Sequence, residues 1–380
     1  MRIAHVITGL GQGGAEAVLF RLATYAETPT RHVVISLTDE GVYGPRLRAA
    51  GITVHTLGLA RGRITLGALL QLRALLRDEA PDAVQTWMYH ADLIGGVAAR
   101  LAGIRAVAWG IRNSGNHLDR SSRSARLVLG LCARLSAWVP RAIVCAAQDA
   151  AKRHQALGYR GQKMVVIPNG YDLSRYAPDP EAGARMRARW EVPQDAVLVG
   201  CVARWDPLKD HANLLGALAL LRQQQGGAAV RGVLVGRGMT PANGELLALI
   251  EAQGLTGSVL LAGPSDDIPA VMNALDVHVL SSCAEGFPNV VAEAMACGTP
   301  CVVTNVGDAA YIVGETGVVV PPQQPQALAK GMAQMLARIA GDGRAATGEP
   351  GRQRVLSMFD LTRMVQAYET VWRRIAGGRA

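Results

Sequence analysis

"DVHVLSSCAEGFPNVVAEAMACGTPCVVTN", residues 276–305, predicts a strand, a loop, a helix and a second strand in thirty residues. The strand "DVHVLSS" closes at Ser282, and the helix starts near Pro288, a residue type favoured at the first helical position. Gly298 supplies the usual C-terminal stop, and the apolar run "CVVTN" follows. A strand returning to a strand through a helix is the repeating unit of a parallel α/β sheet.

The same alternation runs along the whole chain. "IAHVIT", "HVVISL", "AVQTW", "AVAWGI", "AIVCAA" and "MVVIP" form one series of short apolar runs separated by helical patterns. "VLVGCVA", "RGVLVG", "VLLAG", "VHVLSS", "CVVTN" and "GVVVPP" form a second. Two doubly wound α/β domains are the expectation, since a chain of 380 residues exceeds the size at which single cores stop growing. The boundaries read as an N-terminal domain over 1–172 and a proline- and charge-rich linker over 173–192. A C-terminal domain over 193–355 follows, and then a terminal amphipathic helix over 356–380 that packs back on the first domain.

Hydrophobic content of 49% with 18% charged residues excludes a disordered chain. The formal charge is +9, nearly all from arginine because only four lysines occur: Lys152, Lys163, Lys209 and Lys330. No Lys/Arg block marks a nucleic-acid tail, so the basic balance favours a phosphorylated substrate or an anionic membrane face. The six cysteines show no CxxC spacing and sit mostly in apolar runs, as reduced thiols do. The opening "MRIAHVITGLGQGG" lacks the apolar core of a leader, and no run of 18 uncharged apolar residues spans a membrane. A cytoplasmic setting follows as the expectation.

Gly9, Gly11 and Gly14 fit G-x-G-x-x-G directly after the first strand, and Asp39 and Glu40 close the second. That pattern keeps an NAD(P)-dependent oxidoreductase open as a rival reading. A glycine-rich turn before a helix also suits any anion, or only a tight turn, and it lets the amides of Gly13 and Gly14 approach a ligand.

Within the opening stretch, Glu285 stands in the loop at the carboxyl end of a strand and Glu293 sits inside an apolar helix. The amides of Phe287, Asn289 and Val290 crowd the positive end of that helix. A half-buried acid is costly unless donors reach it, and sugar hydroxyls are suitable donors. A glycosidase needs two carboxylates converging on one bond, roughly 5–9.5 Å apart. One acid in a loop and one in a helix suit a longer ligand held at two places, such as a nucleotide-sugar. Upstream, Arg204 and Lys209 leave a strand in "VARWDPLKD", where two cations meet the charge that grows on a departing diphosphate.

"EGFPNVVAE" resembles the E-x7-E motif of retaining glycosyltransferases of the group 1, or family 4, type. "GLGQGGAE" at 9–16, "HAD" at 90–92, "IPNGYD" at 167–172, "ARWDPLKDH" at 203–211 and "GTPCVVTNVGD" at 298–308 agree in order and spacing. The chain departs from the family pattern after Gly307, with Asp308 and "AAYIV" where a second glycine and a later glutamate are usual. The resemblance implies the GT-B fold, two Rossmann-like domains facing across a cleft, without cofactor or metal.

It also implies roles. Arg204 and Lys209 contact the diphosphate, and His90 contacts hydroxyls of the donor sugar. Glu285 with the backbone of Gly286, Phe287, Pro288 and Asn289 holds the hexose, and Glu293 holds the ribose. The expected activity moves a hexose from a nucleotide diphosphate sugar, UDP ahead of GDP, to a glycan or lipid-linked acceptor in cell-surface polysaccharide synthesis. A non-catalytic nucleotide-sugar-binding protein is the remaining alternative. "HLDRSSRSARLVLGLCARLSAW", residues 117–138, reads either as a basic amphipathic helix for an anionic membrane or as an ordinary surface helix.

Overall fold

The computed structural model describes residues 1–25, 29–60, 65–113, 123–193, 195–224 and 230–377, without the side chain of Arg123. The chain divides into two compact units, Met1–Gly170 with Leu361–Ala380, and Tyr171–Asp360.

The first unit opens with β1 (Arg2–Ile7), α1 (Gly14–Ala23), β2 (Arg31–Ser36), α2 (Tyr43–Ala49) and β3 (Thr53–Thr56). It continues through α3 (Leu66–Glu79), β4 (Ala83–Trp87), α4 (Tyr89–Leu101), β5 (Val107–Ile111) and α5 (Arg123–Leu135). β6 (Ala142–Cys145), α6 (Gln148–Ala156) and β7 (Met164–Val166) complete its seven-stranded parallel sheet, ordered β3-β2-β1-β4-β5-β6-β7. β4, β5 and β6 are buried at every position, which is why they read as unbroken apolar runs.

The second unit begins with α7 (Pro180–Arg189), β8 (Val197–Val202), α8 (His211–Gln224), β9 (Val230–Val235) and α9 (Gly244–Ala252). Then come β10 (Val259–Gly263), α10 (Ile268–Ala274), β11 (Val277–Leu280), α11 (Asn289–Ala296) and β12 (Cys301–Thr304). α12 (Ala309–Val313), β13 (Val318–Val320), α13 (Pro325–Asp342) and α14 (Arg344–Met358) finish it. Its six parallel strands are ordered β10-β9-β8-β11-β12-β13. Each sheet therefore reverses direction once, at β1/β4 and at β8/β11, and the crevice outside the strand ends at such a reversal is where doubly wound sheets hold ligands.

The last helix, α15 (Leu361–Gly377), belongs to the first unit. Its stripe Met364, Val365, Tyr368, Val371, Trp372 and Ile375 joins the core that contains Ile3, Val34 and Trp87. Under it lies a buried polar chain. Trp87 Nε1 donates to His5 Nδ1 at 3.2 Å, so the His5 proton sits on Nε2 and is directed at His32 Nδ1, 2.9 Å away. Burial holds both imidazoles neutral, His32 down to about 4.

Residues 173–192, expected as a linker, form part of the second unit. Asp179 caps α7 by accepting from the Ala182 amide, and the buried Arg187 donates to Ala274 O, Ala196 O and Asp276. A charge-rich sequence hides this role because its key arginine is paired inside.

Asp92, in the first turn of α4, is fully buried. Its Oδ1 accepts from Thr86 Oγ1 and the Gly110 amide, while among the described residues Oδ2 has no partner. Burial pushes its carboxyl up to about 8. A folded-state value above the unfolded one means stability is present at acid pH and is lost as pH rises through about 8. Asp92→Asn should flatten the fall of Tm between roughly pH 4 and 8, the window between the ordinary carboxyl value and about 8, measured against wild type; parallel curves would show that Asp92 does not carry it.

Candidate active site

At the carboxyl end of β8 the chain turns through Arg204 to Lys209. Asp206 caps the short turn Pro207–Lys209, its Oδ1 accepting from the Leu208 amide at 2.9 Å. Its Oδ2 accepts from Arg204 Nε at 3.0 Å and Nη2 at 2.7 Å. Burial works against the Asp206 charge, but the Leu208 amide and the Arg204 guanidinium hold its carboxyl below the ordinary range. Arg204 is thus folded onto its neighbour, with 56% of its side chain exposed.

Lys209 points the other way. Its Nζ donates to Glu285 Oε1 at 2.5 Å, an ion pair between side chains only 20% and 12% exposed. Ser282 Oγ donates to the same oxygen at 2.6 Å. Among the described residues, Oε2 accepts no hydrogen bond. Three strand ends are tied together around this pair. Ser281 Oγ donates to Lys209 O at 2.8 Å, the Cys283 amide to Leu208 O at 2.9 Å, and Thr304 Oγ1 to Ser282 O at 2.7 Å.

The fourth tie comes from the β12 loop, where the Asp308 amide donates to Gly286 O at 2.9 Å. Gly307, at φ +53, lies so close that a Cβ there would sit 2.4 Å from Gly286 O and 2.5 Å from Glu285 O. Only glycine fits that space and that backbone conformation. Gly307→Ala should therefore cost about 1–3 kcal/mol and lower Tm by several degrees, with turnover falling as the Glu285 loop shifts. A variant that melts and turns over like wild type would contradict the fit.

α11 starts at Asn289, one residue after the predicted Pro288, which caps it. The Phe287 ring is buried against Phe359, centroids 5.5 Å apart, so the side this residue offers a ligand is its backbone. Asn289 Oδ1 accepts from Tyr171 Oη at 2.7 Å. Val290 and Glu293 are half-buried and three positions apart, hence neighbours on one helix face. Asp267, beside Asp266, caps α10 through the Ala270 amide at 3.1 Å. Among the described residues no group of three His, Cys, Asp or Glu is placed to hold a metal ion.

In the first unit, Gly13 caps α1 with an extended backbone and Gly14 begins the helix. The place of a Gly13 Cβ is taken by Glu16, whose Oε2 lies 2.4 Å from it. Glu16 stands in the first turn of α1, so the positive end of this helix already faces one carboxylate. Glu40, the candidate ribose acid of a dinucleotide fingerprint, pairs with exposed Arg48 at 2.8 Å.

His90 is the second residue of α4, half-buried, and burial keeps its ring below the ordinary imidazole value. The residue before the helix, Met88, has φ 75 and ψ 157, a conformation costly for a side chain and typical of functional turns. Tyr89 Oη lies 2.6 Å from both Asn113 Oδ1 and His154 Nε2, anchoring this turn. Sequence reasoning missed Asp206, Ser282, Thr304, Tyr89 and His154. Thr304, Tyr89 and His154 act through partners that only the fold brings near. Asp206 and Ser282 act on residues two and three positions away, and the Asp-Pro pair at 206–207 is a local cap signal that could have found Asp206.

Two family models match: "Glycosyl transferases group 1" over residues 196–338 and "Glycosyltransferase Family 4" over residues 12–175. EpsF of Bacillus subtilis is 28% identical over 313 residues, 80% of this chain and 79% of that one. An Escherichia coli UDP-Gal:alpha-D-GlcNAc-diphosphoundecaprenol alpha-1,3-galactosyltransferase is 28% identical over 246 residues, 63% of this chain and 62% of that one. The crystal structure of Anabaena HepE in complex with UDP superposes with TM-score 0.84 at 23% identity, covering 98% of this chain and 100% of that one. Sucrose-phosphate synthase of Thermosynechococcus elongatus gives TM-score 0.82 at 19% identity, over 99% and 100%. The chain belongs to the group 1 / family 4 glycosyltransferases and has their GT-B fold of two Rossmann-like domains.

Proposed function

We propose that this enzyme is a retaining hexosyltransferase. It moves a hexose from a nucleotide diphosphate sugar, UDP ahead of GDP, to a glycan or lipid-linked acceptor in cell-surface polysaccharide synthesis at the cytoplasmic face of the membrane. The observation that carries the reading is the Lys209–Glu285 pair, fixed by Ser282 at the β8/β11 reversal of the second sheet. A cation and a carboxylate held there suit the two ends of a sugar diphosphate. Lys209 meets charge growing on the leaving phosphate, and Glu285 accepts from hexose hydroxyls through Oε2.

Arg204 joins by turning from Asp206. The Gly286–Val290 backbone borders the sugar, Glu293 accepts from the ribose, and His90 donates to the hexose. The Gly13–Gly14 turn borders the acceptor. For retention we favour same-face displacement, in which the departing phosphate helps deprotonate the acceptor. The names of the galactosyltransferase and of the UDP-bound HepE support a UDP donor and a lipid-linked acceptor. Glu16 and the Arg48–Glu40 pair weigh against a dinucleotide in the first glycine loop.

A thermal-shift screen tests this. UDP at 100 times its Kd should stabilise by about 2.7 kcal/mol, or roughly 5–10 °C in Tm, while NADH should give no shift. A shift with NADH and none with UDP or GDP would overturn the proposal.

A further inference from the structure

α5 is apolar on two sides. Val128, Leu129, Cys132 and Ala133 are buried against the rest of the first unit, and α4 is its neighbour. Leu127, Leu131 and Trp138 are 66%, 37% and 72% exposed, and Arg126 and Arg134 are exposed with them. Leu127, Leu131 and Arg134 recur at helical spacing on the solvent side of α5, and Trp138 is exposed in the turn that follows the helix end at Leu135.

The display of Trp138 is built rather than accidental. Lys163 Nζ donates to Ser136 O, Ala137 O and Pro140 O at 3.1, 2.5 and 2.7 Å, pinning the turn that carries the indole outward. α3, α4 and α5 lie side by side, and α3 and α4 add exposed Leu66, Leu70 and Leu101 to the same helical layer. From Arg123 to Lys163 the sequence holds eight Lys/Arg against one acid, Asp149, and that acid is paired with Arg153. Among the described residues, no helix is long and apolar enough to cross a membrane.

We infer that this face docks on an anionic phospholipid bilayer. Leu127, Leu131 and Trp138 enter the interface, while Arg126 and Arg134 reach the lipid phosphates. A leucine–tryptophan surface flanked by arginines without acids is the chemistry of a helix lying in a bilayer surface. The inference rests on the proposed function only in the reason for docking, a lipid-linked acceptor. Its test needs no transfer reaction.

The full chain is sedimented with vesicles of phosphatidylcholine containing phosphatidylglycerol, and with phosphatidylcholine alone. Wild type should pellet with the anionic vesicles at low salt, detach at roughly 0.5 M salt, and ignore the neutral ones. Leu131→Ser with Trp138→Ala should weaken binding at least about tenfold. Arg126→Gln and Arg134→Gln should each weaken it about fivefold. Leu247→Ser, at an exposed leucine of the second unit, should change nothing. An unchanged thermal response to UDP shows that each variant is folded.

Wild type left in the supernatant at low salt, or pelleting indifferent to Leu131→Ser with Trp138→Ala, would overturn the inference. So would a dimer in analytical ultracentrifugation that those substitutions dissolve, because the occupant would then be a second copy. Vesicle binding without any UDP response would instead remove the donor-site proposal and leave this one standing.

Discussion

Lys209→Ala should lower kcat about a hundredfold or more with a smaller change in donor KM, read from release of UDP or GDP. The amine is held by its pair with Glu285 at 2.5 Å, and in the proposed role its stabilisation grows as the glycosidic bond breaks. The substitution also leaves Glu285 with Ser282 as its remaining donor, so Tm should fall as well. Lys209→Arg separates the two effects. A guanidinium restores the charge but not the point geometry, so stability should return further than turnover. Near-normal kcat in the alanine variant would refute the leaving-group role.

Glu293→Ala should weaken free UDP about ten- to a hundredfold, the worth of charge-assisted hydrogen bonds to ribose hydroxyls. Calorimetry with UDP measures it directly. The half-buried acid stands on the α11 face beside Val290. Unchanged UDP affinity would move the ribose elsewhere.

The fold was legible because its strands are buried on both faces. β4, β5, β6, β11 and β12 have buried residues at every position and therefore appear as short unbroken apolar runs. The loop-and-helix reading of residues 281–300 was legible for the same reason, since Pro288 and Gly298 mark the ends of a helix that the structure runs from Asn289 to Ala296. What was not legible is contact at long sequence separation. Lys209 and Glu285 are 76 positions apart, and nothing local tells that they touch while Arg204 turns back to Asp206. The glycine loop misled for a related reason. G-x-G-x-x-G describes a backbone shape and not a ligand, and the pattern does not show that the carboxylate of Glu16 lies beside Gly13. Gly307 shows the converse. Its need for glycine comes from the carbonyls of Glu285 and Gly286 arriving from another loop.

A crystal structure of the enzyme with UDP tests where the diphosphate and ribose sit. Diphosphate oxygens should lie within hydrogen-bond distance of Lys209 Nζ and of an Arg204 swung away from Asp206, with the ribose hydroxyls on Glu293. A diphosphate seated on the Gly13–Gly14 turn, with Lys209 still bound to Glu285 alone, would contradict this placement.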